Sequence, residues 1–153
     1  TKHNIKIGTR RLKGFGLEPV FMPNALKGIA YVDEHPEKRA EDLIEAFRDD
    51  SIKGIMCAIG GIDTYRTLTY LMENQEFLDL VKNKPKLFTG FSDTTVNHLM
   101  FYKLGLTTYY GMAFIKDLAE ISDEMLPYTR EYFNYYLSSA KDYKKIIPSP
   151  IWY

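Results

Sequence analysis

Gly54-Ile55-Met56-Cys57-Ala58-Ile59, running into Gly60-Gly61-Ile62-Asp63, and Lys86-Leu87-Phe88-Thr89, running into Gly90-Phe91-Ser92-Asp93, are the two stretches that decide the fold. The first is a continuous apolar run bounded by glycines, the pattern of a strand covered on both faces of a parallel sheet. The second reads as another buried strand. Between them, residues 65–72 and 75–81 suit helices; after them come a helix over 94–104 and a strand over 107–110. Strand, helix, strand in this order requires crossover connections, so the expected class is α/β, a mostly parallel sheet flanked by helices.

Working outward, residues 11–16 read as a helix end stopped by glycines. Residues 18–22 read as a short edge strand, where Pro19 costs no ladder bond. Residues 24–34 read as a loop. From Pro36 a helix is expected, with proline in its first turn and Ala40, Leu43, Ile44 and Phe47 on one face. Glu37, Lys38, Arg39, Glu41 and Asp42 then form a solvated outer face. Towards the end, Ser122 is expected to cap a last helix, with Asp123 and Glu124 favouring the positive end of its dipole and Pro127 still near its start. Tyr128, Tyr132, Phe133, Tyr135 and Tyr136 crowd that helix, which suits core packing or contact with a second domain or subunit.

Composition narrows the function. The chain has 153 residues, the size of one ordinary domain, with 20 basic and 20 acidic residues. No block of like charge gives a footprint for nucleic acid or an anionic membrane, so small or neutral substrates fit better. The single Cys57 cannot form an internal disulfide, and its apolar neighbours suggest a buried thiol. No apolar run approaches the roughly 20 residues needed to cross a bilayer and no secretory signal is visible, so a cytoplasmic location is expected. The chain starts at Thr1, and residues 146–153 end on Trp152 and Tyr153, apolar residues that need a cover. Both ends are expected to be cuts in a longer chain.

In an open parallel sheet, ligands gather beyond the carboxyl ends of the strands. Two loops meet that condition. The Gly60-Gly61 loop lets backbone N–H groups approach a substrate closely. Ser92 lies on a sharp strand-to-helix turn, which would hold its hydroxyl up into the cleft. On that geometry the Asp93 N–H, with Gly61 as the candidate second donor, would face developing oxyanion charge. The Asp93 side chain fits helix-start electrostatics. Taken alone, Gly-Phe-Ser-Asp admits two readings, a nucleophile or a capping serine, and Thr94 stands where the usual hydrolase elbow has a second glycine.

A nucleophilic serine also needs a base. His98 falls further along the helix and is expected to face away, as a packing or surface residue. His35 reads as a turn residue at a helix start, and His3 lies on a frayed end. None is a convincing base.

Residues 55–68, with Gly60-Gly61-Ile62-Asp63-Thr64-Tyr65-Arg66, and 84–95, with Gly90-Phe91-Ser92-Asp93-Thr94, resemble the LD-carboxypeptidase and microcin-C-immunity family of serine peptidases. Arg39-Ala40-Glu41-Asp42-Leu43 and Gly105-Leu106-Thr107-Thr108-Tyr109-Tyr110-Gly111 match the same family upstream and downstream. The resemblance implies a cytoplasmic, homodimeric enzyme with a Ser-Glu-His triad and neither metal nor cofactor. It acts on a small peptide or peptide-nucleotide: a murein tetrapeptide, which loses its terminal D-alanine, or a microcin-C-like aminoacyl-nucleotide amide. Ser92 is then the nucleophile, Asp93 and Gly61 the oxyanion donors, and Gly60, Asp63 and Arg66 line or brace the substrate pocket.

The resemblance further implies an incomplete N-terminal nucleophile domain of a two-domain peptidase. Residues 1–145 form that domain without its first strand, 146–153 begin a linker, and the triad Glu and His lie in a second domain. Gly111-Met112, where LD-carboxypeptidases often show Gly-Pro, leans towards the immunity-type branch. Two other classes stay open: a non-catalytic α/β module that holds an anion or peptide carboxylate, and an interaction domain built on the tyrosine-rich helix.

Overall fold

The structure is a computed structural model and describes residues 1–138 and 145–151. Trp152 and Tyr153, whose cover the sequence left open, lie outside the described residues. Three parallel strands, β1 (Gly54–Met56), β2 (Leu87–Gly90) and β3 (Tyr109–Tyr110), lie in the order β1-β2-β3. Ile55 pairs with Phe88 and Met56 with Thr89, while Gly90 pairs with Tyr110. The helices are α1 (Lys2–Gly14), α2 (Ile29–Glu34), α3 (Pro36–Arg48), α4 (Leu68–Met72), α5 (Gln75–Asn83), α6 (Thr95–Lys103) and α7 (Pro127–Leu137). The α/β class and the parallel sheet are as the sequence implies.

The sheet is covered on both faces. On one side Phe47, Phe77, Phe88 and Phe101 are fully buried, with Ala40, Ile44, Leu71 and Val81 around them and Ile55 and Cys57 packed against them. The rings meet edge-on or tilted, Phe47 to Phe77 at 5.6 Å and Phe88 to Phe101 at 4.8 Å, the arrangement that aromatic quadrupoles favour. On the other side Phe114, Leu118, Met125 and Phe133 form a second cluster, which Met56 and residues of α1 join. Alternate residues of β1 thus serve opposite cores, as strand periodicity requires.

Six expectations about these elements need correction. Residues 18–22 form no strand; with Pro19 and Pro23 lacking N–H donors, the segment docks through Phe21, whose ring packs edge-on to Phe114 at 5.5 Å. Residues 24–34 are not all loop, because α2 follows Gly28, and Asn24 anchors the preceding turn on the Asp42 carboxylate. Asp42 is therefore not part of a merely solvated face. The first strand is shorter and less buried than its apolar run suggests: among the described residues β1 pairs with a strand on one side only and ends at Met56. Past Met56 the Cys57 and Ala58 carbonyls accept N–H groups from Phe114 and Ile115 instead of a strand.

The other two lie nearer the ends. The last helix starts at Pro127 rather than Ser122. Ser122 instead receives the buried Arg11, whose guanidinium donates to the Leu118, Glu120 and Ser122 carbonyls at 2.9–3.1 Å and to the Ser122 hydroxyl. The Ser122 carbonyl and hydroxyl, which a helix starting there would use at its cap, are thus committed to an arginine. His3 lies in the first turn of α1, where the Thr1 side chain caps the helix, rather than on a frayed end. Of the aromatics on α7, Tyr132 and Phe133 are buried, Phe133 meets Phe15 at 4.7 Å and Tyr136 meets Tyr109 at 5.6 Å.

Phe101 touches Phe47, Phe77 and Phe88, so truncating it empties the centre of the first cluster. Phe101→Ala is expected to lower unfolding free energy by about 3–5 kcal/mol in urea titration. A loss below about 1 kcal/mol would sink its assignment as the core.

Candidate active site

β2 ends at Gly90, and the chain turns through Phe91 into a 3₁₀ turn, Ser92–Thr94, that leads directly into α6. Ser92 has φ 59° and is the one non-glycine residue with positive φ among the described residues. A left-handed serine costs about 1–3 kcal/mol and persists where its surroundings fix it. Here the Thr94 hydroxyl and N–H donate to the Phe91 carbonyl at 2.8 and 3.2 Å, and the Thr95 hydroxyl donates to the Ser92 carbonyl. Ser92 itself stands exposed beyond the end of the sheet. Among the described residues no side chain hydrogen-bonds to its hydroxyl.

The Gly60-Gly61 loop lies against this turn. A Cβ added to Gly60 would come within 2.9 Å of the Ser92 Cβ, and one added to Gly90 within 2.6 Å of the Thr94 hydroxyl and 2.9 Å of Cys57 Sγ. Both positions require glycine because neighbouring backbone and side chains occupy the space a Cβ would take. The two loops singled out in the sequence thus meet.

What joins them was not foreseen. Asp93 Oδ2 accepts the N–H of Asp63 at 3.0 Å and of Thr64 at 2.8 Å, so its side chain bridges the loops instead of merely serving the helix start. Burial raises the carboxyl's pKa, but the hydrogen bonds from Thr64 and Asp63 and the charge of Arg39 outweigh it, and the net shift is downward. Asp63 in turn receives Arg39 Nη1 on both carboxylate oxygens at 2.9 Å. Arg66 reaches Asp33 at 2.9 Å and Asp63 at 3.5 Å. Asp63 and Arg66 therefore sit in ion pairs that brace the loop, and Arg39 belongs to the site's frame rather than to a solvated helix face. The spacing along α3 could not reveal this, because Arg39 differs from its charged neighbours only in what faces it from another loop.

His98 is buried under the turn, so of the two expected readings it is the packing residue and not the surface one. Nε2 lies 3.1 Å from the Gly90 carbonyl and Nδ1 2.7 Å from the Thr108 hydroxyl. Since a carbonyl only accepts, Nε2 carries the proton and has no free lone pair for a neighbouring serine. His35 stands at the start of α3 as expected, its Nδ1 2.9 Å from a Glu37 carboxylate oxygen. Burial pushes the Cys57 thiol up to about 12, with the Thr94 hydrogen bond acting the other way, so it stays a neutral thiol at neutral pH. Among the described residues no cluster of three or more His, Cys, Asp or Glu could hold a metal ion.

The N–H groups of Gly61 and Asp93 have no acceptor among the described residues. Two free donors and an exposed hydroxyl at the start of a helix can stabilise negative charge on a carbonyl attacked there. Fold and site together define a class: the chain belongs to the family described as LD-carboxypeptidase N-terminal domain, matched over residues 1–111.

Among solved structures the chain is similar to an MccF-like protein from Streptococcus pneumoniae in complex with AMP. The two are 51% identical with a TM-score of 0.92, over 99% of this chain and 43% of that one. It is 26% identical, with a TM-score of 0.80, to the microcin C7 self immunity protein MccF in complex with aspartyl sulfamoyl adenosine, over 96% of this chain and 43% of that one. A probable murein peptide carboxypeptidase of Bacillus subtilis (strain 168) is 34% identical over 78% of this chain and 35% of its own length. The chain thus spans less than half the length of these relatives.

Asp93→Ala removes the acceptor of two backbone N–H groups and is expected to cost about 1–3 kcal/mol in denaturant unfolding. Asp93→Asn keeps an oxygen and is expected to cost less. Because the folded pKa lies below the ordinary 3.8, the Asp93 contribution is complete above that value and lost as pH falls through the lower folded value. Acid unfolding of Asp93→Asn should lack that component. Identical acid profiles for wild type and Asp93→Asn would remove the charged bridge.

Proposed function

We propose that Ser92 is the nucleophile of a serine amidase or peptidase, and that the Asp93 and Gly61 N–H groups form its oxyanion site. The observation that carries this reading is the left-handed Ser92, held at the carboxyl end of β2 with Gly60 pressed against its Cβ. In the reaction, Ser92 Oγ attacks an amide carbonyl while its proton passes to a base. The C–O bond forms, and the oxyanion settles between the two N–H groups. The C–N bond then breaks as the amine takes the proton from the base, and water releases the acyl group by the reverse path. Gly60, Asp63 and Arg66 act as frame: Gly60 admits the close approach, and the two charged residues keep the loop in place.

The base comes from outside the described residues, as the Ser-Glu-His pattern of the resembling family implies; His98 is committed to the Gly90 carbonyl. Residues 1–145 then form the nucleophile-bearing domain, and 146–153 begin the linker to the domain with Glu and His. The full-length protein is a cytoplasmic homodimer on this reading. No helix among the described residues is long and apolar enough to cross a membrane.

The substrate we favour is an aminoacyl-nucleotide amide of the microcin-C type. Its support is the 51% identity to the MccF-like protein bound to AMP, against 34% to the probable murein peptide carboxypeptidase. The tests are turnover assays on the full-length protein with an aminoacyl-nucleotide amide and with a murein tetrapeptide. The nucleotide amide should be the better substrate, and Ser92→Ala should lower its kcat by about 10⁴-fold or more. Unchanged turnover in Ser92→Ala would remove Ser92 from the nucleophile's role. Preference for the tetrapeptide would move the substrate to the murein side. The purified 153-residue chain should be inactive on both.

A further inference from the structure

The bonds that hold the Ser92 turn differ in origin. Those made by Thr94 and Thr95 are local and would accompany many capped helix starts. One bond is not local. The N–H of Ser92 donates to the hydroxyl of Tyr110 at 2.9 Å, and Tyr110 is the last residue of β3, opposite Gly90 in the sheet register.

Tyr110 is 63% exposed, so burial does not dictate where its hydroxyl points. A buried neighbour does. The ring lies 5.5 Å from that of His98, tilted by 50°. His98 is itself fixed three ways: by the Gly90 carbonyl, by the Thr108 hydroxyl and by an edge-on contact with Phe88 at 5.3 Å. The Gly90 carbonyl also takes the Gly111 N–H at 2.8 Å. A closed circuit results, from the turn through α6 to His98, across to Tyr110 and back to Ser92.

We infer that Tyr110 is a positioning residue for the nucleophile: its hydroxyl, aimed by the His98 ring, holds the Ser92 N–H and with it the left-handed turn that presents Oγ. This rests on the reading of Ser92 as the nucleophile. A second consequence follows for the oxyanion site. With its N–H committed to Tyr110, Ser92 cannot itself donate to the substrate, and the turn offers the Asp93 N–H alone.

Tyr110→Phe keeps the ring on His98 and deletes the acceptor. In the full-length protein labelled at serine, the Ser92 amide proton is expected to move upfield and exchange faster. On the best substrate kcat should fall about 10-fold with KM within about 2-fold, because misplacement of a reacting atom acts on the chemical step. An unmoved Ser92 amide would show that the hydrogen bond is not made. A moved amide with unchanged kcat, in a protein that Ser92→Ala inactivates, would reduce the bond to a structural one and overturn the proposal. So would a rise in KM alone, the mark of a substrate contact. Turnover that survives Ser92→Ala would sink the nucleophile reading instead, whatever Tyr110→Phe does to the amide.

Discussion

The carboxylate of Asp93 fixes the distance between two loops that leave neighbouring parallel strands, and the site depends on that distance. Parallel pairing of β1 with β2 sends both chains out at the same end of the sheet. It does not say how far apart they then run. One oxygen that accepts the N–H groups of Asp63 and Thr64 supplies the answer, and the ion pair of Arg39 with Asp63 ties the same loop to α3. A partly exposed ion pair contributes about 1 kcal/mol or less. Its value here is geometric, since it leaves the loop one position relative to Ser92.

Beneath this polar frame lies an apolar floor. Phe88 of β2 and Phe101 of α6 pack as tilted rings 4.8 Å apart, so strand and helix on either side of the Ser92 turn are seated in one core. Cores at this density transmit small displacements instead of absorbing them. That seating brings His98 under the Gly90 carbonyl, and it leaves so little room that Gly60 and Gly90 can carry no Cβ. Strain at Ser92 is thus offset by burial elsewhere, the usual relation between a strained residue and the scaffold that holds it.

Much of this was legible in the sequence. The two apolar runs announced parallel strands, the helix from Pro36 had its period and its proline cap, and the order of glycines and serine placed two loops at one sheet end. Runs and periods are local, so they survive translation into structure. Illegible were features that depend on what lies across space. Arg39 and Asp93 belong to charge patterns that a solvated helix would also show, and only the facing loop turns them into a frame. The helix foreseen from Ser122 starts only at Pro127 because a buried Arg11, far away in sequence, claims the Ser122 carbonyl and hydroxyl. The strand expected through Ile59 stopped at Met56 for the same kind of reason: an apolar run records burial, not which partner supplies the bonds, and here the N–H groups of Phe114 and Ile115 take the next two carbonyls.

On the proposed reading, the half of the site built here is the half that has to be built in one piece. Oxyanion donors work by being in place before charge develops, and their benefit falls steeply with displacement. Gly61 and Asp93 come from different loops, and only a single rigid unit, sheet, bridge and core together, can hold both N–H groups on one point. A general base has a looser requirement. It needs hydrogen-bond reach to the serine and a suitable pKa, and its contact tightens when substrate is bound. It can therefore arrive on a separate domain without loss of the donors' geometry. His98 shows the complementary case. It is near enough to the turn to be mistaken for a base, yet its proton-bearing nitrogen is spent on the Gly90 carbonyl, so its chemistry is exchanged for fixing the backbone from which Ser92 projects.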